Sequence, residues 1–335
     1  MRSVSRSAGL ALLAACGSAA PPPDANSAGG SAGAWCDAIP RQANQAFPVV
    51  AAGSEWFEVR DLGDGVLALS EPRQFQEVIS YLIVGRDRAL LFDSGLGMVP
   101  IRPVVERLTS LPVVVINSHT HYDHVGGNAE FDSVLAVETA YTGANQSGFS
   151  HGELAGEVAG ESFCGGAGRL VDTAGFRTRA WRATGHIADG DSIDLGGRVL
   201  RVWQVPGHTP DAVALEDRAL GLLFTGDSYY DGPIWLYVPE TDLDAYDSSM
   251  VKLSLLPGLR RLHPAHNTVS AEPASLARTV SVLRRIRAGE VAGVPEANGR
   301  LTFQANDITI LTAKPVLDGR RADQGRGGSG LTVWE

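Results

Sequence analysis

Cysteine is scarce in this chain of 335 residues: there are three, and none has the spacing of a thiolate metal site or stands in a nucleophilic constellation. Cysteine catalysis is thereby excluded as the main chemistry. Positive charge is also in deficit, with 28 Lys and Arg against 38 Asp and Glu, a net charge of −10. No Lys/Arg-rich stripe with interleaved aromatics is present, which excludes a nucleic-acid track. No apolar run is long enough to span a bilayer, and no internal repeat is evident. What remains is 44% apolar and rich in glycine, enough for one layered core in a single domain.

The amino terminus carries an address. Arg2 and Arg6 form a basic region, Ala8 to Ala15 a short apolar core, and Leu13-Ala14-Ala15-Cys16 fits a bacterial lipoprotein cleavage box in which Cys16 is acylated. The expected division is a signal over 1–16, a flexible Pro/Gly/Ser/Ala tether over 17–34, one folded domain over 35–318 and a polar tail over 319–335. The protein is expected at the cell envelope, lipid-anchored and facing the periplasm, or secreted if Cys16 is not used. In that oxidising location Cys36 and Cys164 can pair, or remain two isolated thiols.

The chemistry concentrates in Asn117-Ser118-His119-Thr120-His121-Tyr122-Asp123-His124-Val125-Gly126-Gly127, which follows the apolar stretch Val113 to Ile116. Three imidazoles and a carboxylate within six positions at the end of a buried strand form a metal site, because imidazole and carboxylate are the usual ligands of zinc and related ions.

The pattern His-x-His-x-Asp-His resembles the metallo-β-lactamase superfamily, and four further motifs follow in order. Asp93 in Phe92-Asp93-Ser94-Gly95 stands where the family buttresses its site, and His208 lies in Pro206-Gly207-His208-Thr209. Asp227 in Thr225-Gly226-Asp227 matches the bridging carboxylate, and His266 in Pro264-Ala265-His266 the last ligand, with Ala265 where the family usually has glycine. The resemblance spans about residues 55 to 290. It implies a four-layer αββα sandwich in the α/β class. It also implies two divalent ions, zinc first with iron or manganese as alternatives: His119, His121 and His208 on one, Asp123, His124 and His266 on the other, and Asp227 between them. Such a pair shares a water, draws its pKa toward neutrality and hydrolyses a small-molecule substrate. Asp227 points to ester or lactone cleavage. β-Lactam hydrolysis and non-haem iron oxidoreduction remain alternatives.

Tyr229 and Tyr230, directly after Asp227, are candidates to hydrogen-bond a developing oxyanion, or are packing residues. Among the other histidines, His263 can compete with His266, while His186 and His151 read as loop residues. Strands are expected over Trp56–Asp61, Val66–Ser70, Val78–Val84, Ala89–Phe92, Val113–Ile116, Ser192–Val205, Ala212–Glu216, Leu220–Thr225 and Arg300–Leu311. Helices are expected over Ile101–Leu108, from Thr241 and from Pro273, and residues 144–168, rich in Gly, Ser and Glu, read as an insertion or lid.

Overall fold

A computed structural model describes residues 35–296 and 299–319. The signal, Cys16, the tether and the tail beyond 319 lie outside the described residues.

The first half of the chain builds an eight-stranded sheet in sequential order. Its strands are β1 Val49–Val50, β2 Glu58–Gly63, β3 Val66–Ser70, β4 Ile79–Val84, β5 Ala89–Phe92, β6 Val113–Ile116, β7 Val134–Val137 and β8 Gly185–Ile187. Pairing is antiparallel as far as β5 and parallel from β5 to β8. Helix α1 (Arg102–Leu108) crosses between β5 and β6, as a parallel pair requires. The short helix α2 (Tyr122–Val125) carries part of the metal motif, and α3 (Ala140–Asn145) and α4 (His151–Leu154) open the insertion.

The second half supplies β9 Ser192–Asp194, β10 Val199–Gln204, β11 Val213–Asp217, β12 Leu222–Gly226, β13 Pro233–Leu236 and β14 Arg261–Pro264. It continues with β15 Val294–Pro295, β16 Arg300–Ala305 and β17 Ile308–Ala313. One sheet runs β14-β12-β11-β10-β9 and a smaller one β13-β17-β16-β15. Helices α5 (Leu243–Ser254), α6 (Ala274–Arg287) and the terminal turn α7 (Lys314–Leu317) complete the chain.

Alternation along the strands sorts side chains into three cores, and these establish the four layers. Between the two large sheets, Tyr81, Ile83, Leu90, Phe92 and Ile116 meet Leu200, Val202, Leu215 and Phe224. On the outer face of the first sheet, Leu69, Leu82, Leu91 and Val115 pack on Val104 and Val105 of α1 and on the insertion. On the outer face of the second, Ala214, Leu223 and Leu262 pack on Tyr246, Met250 and Leu253 of α5 and Leu276, Val280 and Leu283 of α6. The αββα expectation is met.

Local differences from the sequence reading have local causes. Ser192–Val205 is two strands, because Gly196 and Gly197 at φ 94° and 85° turn the chain into a hairpin. Arg300–Leu311 is likewise a hairpin, turned at Asn306 with φ 56°. The first long strand starts at Glu58 rather than Trp56, since Trp56 and Phe57 drop into the outer core. Asp242, not Thr241, caps α5, its Oδ1 accepting from Asp244 N at 3.0 Å and Ala245 N at 3.1 Å. The insertion is no loose loop: Phe149, Leu154, Val158 and Ala167 are buried in the outer core, and Cys164 is disulfide-bonded to Cys36 with Cα atoms 5.6 Å apart.

Candidate metal centre

The motif residues converge at one end of the sandwich. Asp93 follows β5, His119 to His124 follow β6, His208 follows β10, Asp227 follows β12 and His266 follows β14. In each case the side chain sits just past a strand's carboxyl end. Two glycines permit the approach. Gly226, at φ 53°, lies where a Cβ would meet Ser118 Cβ at 2.3 Å, and Gly207, at φ 147°, where it would meet Tyr246 Cα at 2.3 Å.

Three overlapping groups of ligand atoms result, each within 4.8 Å: His119, His121 and His208; His119, His124 and Asp227; Asp123, His124 and His266. His119 Nε2 stands 2.8 Å from His121 Nδ1, which is 3.2 Å from His208 Nε2. Asp227 faces both sides, with Oδ1 3.1 Å from His266 Nε2 and 3.4 Å from His124 Nε2, and Oδ2 3.6 Å from His208 Nε2.

The outward nitrogens explain why the inward ones are available. His208 Nδ1 donates to Trp235 O at 2.8 Å and His266 Nδ1 to Gln76 O at 2.6 Å, since a carbonyl can only accept. His124 Nδ1 faces Asp93 Oδ2 at 3.0 Å, and His119 Nδ1 faces Ser118 Oγ at 3.0 Å. These partners turn lone pairs inward, the arrangement of metal-ligating imidazoles.

Electrostatics agree with the donor set. Burial holds His119 well below the usual imidazole range and pushes His208 down to about 4, so both are neutral near neutral pH, as a metal-ligating imidazole must be. At Asp227 burial works upward, but His266 and His124 outweigh it and hold the carboxyl well below its usual range. His124 Nε2 and Asp227 Oδ1 are buried without a hydrogen-bond partner among the described residues. Orphaned polar atoms beside converging imidazole nitrogens fit a divalent cation.

The chain matches the family model described as the metallo-beta-lactamase superfamily over residues 75–280. It belongs to the metallo-β-lactamase superfamily. Acyl-coenzyme A thioesterase MBLAC2 of Homo sapiens is 29% identical over 242 residues, covering 65% of this chain and 84% of that protein. Hydroxyacylglutathione hydrolase of Gloeobacter violaceus is 27% identical over 229 residues, covering 64% and 79%. A metallo-beta-lactamase family protein from Thermus thermophilus shares the fold with a TM-score of 0.51 at 20% identity, over 69% of this chain and 82% of that one. The protein is a metal-dependent hydrolase of the metallo-β-lactamase superfamily.

Other candidates fall into place around this superfamily centre. His263 is stacked on Phe224, with Nδ1 2.9 Å from Val269 O, and burial holds it down at about 4, which makes it a core residue. His186 is exposed on β8, and His151 opens α4 with Nδ1 3.1 Å from Phe176 O. Tyr229 donates to Asp231 Oδ1 at 2.6 Å, away from the ligands. Tyr230 lies against His266, ring centroids 5.0 Å apart, and its hydroxyl accepts from Trp235 N at 3.0 Å.

Three further carboxyls lie close to the site. Glu240 Oε1 is 3.1 Å from His121 Nε2, and buried Asp211 accepts from Thr120, Thr209 and Thr142. Glu157 of the insertion is raised by loss of hydration to about 7, beside Tyr122, Gln76 and Gln74. Thr209 and Asp211 in His208-Thr209-Pro210-Asp211 were a readable signal, an Asx- or ST-type turn; isolated Glu240 and Glu157 gave none.

Proposed function

We propose that this hydrolase works with two divalent ions and cleaves acyl esters or thioesters. His119, His121 and His208 hold one ion, Asp123, His124 and His266 the other, and Asp227 is shared. The two-sided placement of Asp227 carries this reading, because its oxygens address different imidazole sets. Two ions in these places supply an activated water and positive charge against which an acyl oxygen turns negative.

The chain's own groups set the conditions. Neutral His119 and His208 leave the centre cationic, while Asp123 and Asp227 offset part of the charge. Trp235 and Tyr237, ring centroids 5.7 Å apart and half-buried, offer an aromatic wall next to Tyr230 for an acyl group. Imidazole and carboxylate donors suit zinc, with iron or manganese as alternatives. The thioesterase and glutathione-thioester names of the relatives support the thioester side; Asp227 supports lactones and esters alike.

Proton release by the zinc-loaded protein across thioesters, esters, lactones and cephalosporins tests the substrate class. Ester or thioester turnover without cephalosporin turnover is expected; preferential cephalosporin turnover overturns the proposal in favour of a β-lactamase. Asp123→Ala is expected to lose one ion by elemental analysis and most of the activity, and an unchanged rate would sink the two-ion reading.

We further propose that acylated Cys16 anchors the protein at the periplasmic face. The Cys36–Cys164 disulfide supports an oxidising compartment. Palmitate label on the wild type and none on Cys16→Ala is the expected outcome; equal labelling overturns it.

A further inference from the structure

His121 differs from the other imidazoles of the cluster. It turns Nδ1 inward, 2.8 Å from His119 Nε2 and 3.2 Å from His208 Nε2, and leaves Nε2 facing outward. That outward nitrogen meets Glu240 Oε1 at 3.1 Å. The same oxygen accepts from Tyr141 Oη at 2.8 Å. Among the described residues no Lys or Arg pairs with Glu240, and its one ion-pair partner is His121. A mostly buried carboxylate in this position accepts the Nε2 proton, keeps the Nδ1 lone pair inward and makes it more basic.

Helix α3 supports the contact from behind. Thr139 caps it, with Oγ1 accepting from Thr142 N at 2.9 Å, and Tyr141 projects to Glu240 with its ring edge-on to His121. The next residue, Thr142, donates to Asp211 Oδ2 at 3.0 Å, and the same oxygen accepts from Thr120 Oγ1 at 2.5 Å. Asn145 Nδ2 reaches Thr120 O at 3.0 Å. One short helix therefore fixes the backbone at Thr120 through Asp211 and Asn145, and the ring of His121 through Tyr141 and Glu240.

The two halves of the site then match. His124 is oriented by the carboxylate of Asp93, and His121 by that of Glu240. We propose that Glu240, held by Tyr141, is the positioning residue that sets the tautomer and orientation of His121. The proposal rests on His121 being a metal ligand.

Cobalt(II) and zinc titrations of the full-length protein against a competing chelator test it, with Glu240→Gln, Glu240→Ala, Tyr141→Phe and His121→Ala. Glu240→Gln is nearly isosteric and removes the charge. It is expected to weaken one ion about 10- to 100-fold while the other binds as in the wild type. Glu240→Ala is expected to lose more and Tyr141→Phe less, with the cobalt d–d bands shifted in each. Long-range nitrogen–proton spectra of the zinc-loaded protein are expected to show His121 protonated at Nε2 in the wild type. Wild-type affinity for both ions in both Glu240 variants, while His121→Ala loses an ion, would overturn the role of Glu240 alone. Full metal content in His121→Ala would overturn the metal-site reading and this proposal with it.

Discussion

Asp93 Oδ2 stands 3.0 Å from His124 Nδ1, and both side chains are wholly buried. The other oxygen, Oδ1, accepts from Ser118 N at 2.6 Å, so one carboxylate holds the His124 ring and the start of the loop that carries His119 to His124. Asp93 has φ 66°, a left-handed conformation that asparagine tolerates. Asp93→Asn therefore keeps the backbone and can keep the Ser118 bond, but it presents an amide N–H₂ to His124 Nδ1. That nitrogen must then accept, and the proton moves to Nε2, on the metal side. Metal affinity is expected to fall by about 10- to 100-fold with the circular dichroism spectrum unchanged, measured by chelator competition. Wild-type affinity in this variant would show that Asp93 does not set the tautomer.

How much of this was readable follows from chain separation. His119 to His124 lie in one stretch, so spacing alone exposed them, and Asp93, His208, Asp227 and His266 carry recognisable turns. Glu240 meets His121 across 119 residues, and nothing in Val238-Pro239-Glu240-Thr241-Asp242 separates it from a surface carboxylate. The packing of the insertion is hidden in the sequence for a related reason. Its Gly, Ser and Glu content shows no buried face, because Phe149, Leu154, Val158 and Ala167 anchor it at intervals that match no single helical or strand period. The hairpins at Gly196-Gly197 and at Asn306-Asp307 were legible, since each pair is a turn signal between two strand-like runs, and a single long strand across either one overlooks it.

Glu71 gives a pH dependence of stability. Burial raises its carboxyl from 4.5 to about 7, against the lowering effect of Trp56 Nε1 and Leu96 N, which donate to it. The folded state binds this proton more tightly than the unfolded chain. The stabilisation is fully present below about 4.5 and is lost as pH rises through about 7. A shift of this size corresponds to roughly 3 kcal/mol. Glu71→Gln carries a constant offset from its altered hydrogen bonds but no proton. The stability difference, Glu71→Gln minus wild type, should grow between pH 5 and 8 in urea titrations. A constant difference over that range would contradict the raised pKa.

The Cys36–Cys164 disulfide closes a loop of 128 residues and ties the first described helix-like turn to the insertion. Nearby, Arg41 pairs with Glu77 and Asn267, and Asn44 Nδ2 bonds Asn267 O at 3.0 Å, so the amino-terminal segment braces the loop of His266. Loop entropy puts the bridge at about 5 kcal/mol, with measured cases more often ~2–4 kcal/mol. Cys36→Ser with Cys164→Ser is expected to lower the thermal midpoint by several degrees and to weaken metal retention modestly. An unshifted midpoint would show that the bridge contributes nothing to the fold.

The two tyrosines after Asp227 separate by where their hydroxyls point. Tyr229 donates to Asp231 Oδ1, and Asp231 in turn accepts from Thr268 Oγ1 and, through its backbone carbonyl, from Asn267 Nδ2. Tyr229→Phe therefore loses a part-buried hydrogen bond, about 1 kcal/mol of stability, and should leave kcat nearly unchanged. Tyr230 is placed otherwise: its oxygen accepts from Trp235 N, and among the described residues its own proton has no acceptor. With its ring on His266, that proton stands beside the proposed metal centre, where an acyl oxygen would gain charge. Tyr230→Phe is expected to lower kcat about 10- to 100-fold at unchanged KM and unchanged metal content. Metal loss at unchanged kcat per ion would instead place its role in the support of Trp235, whose carbonyl holds His208 Nδ1.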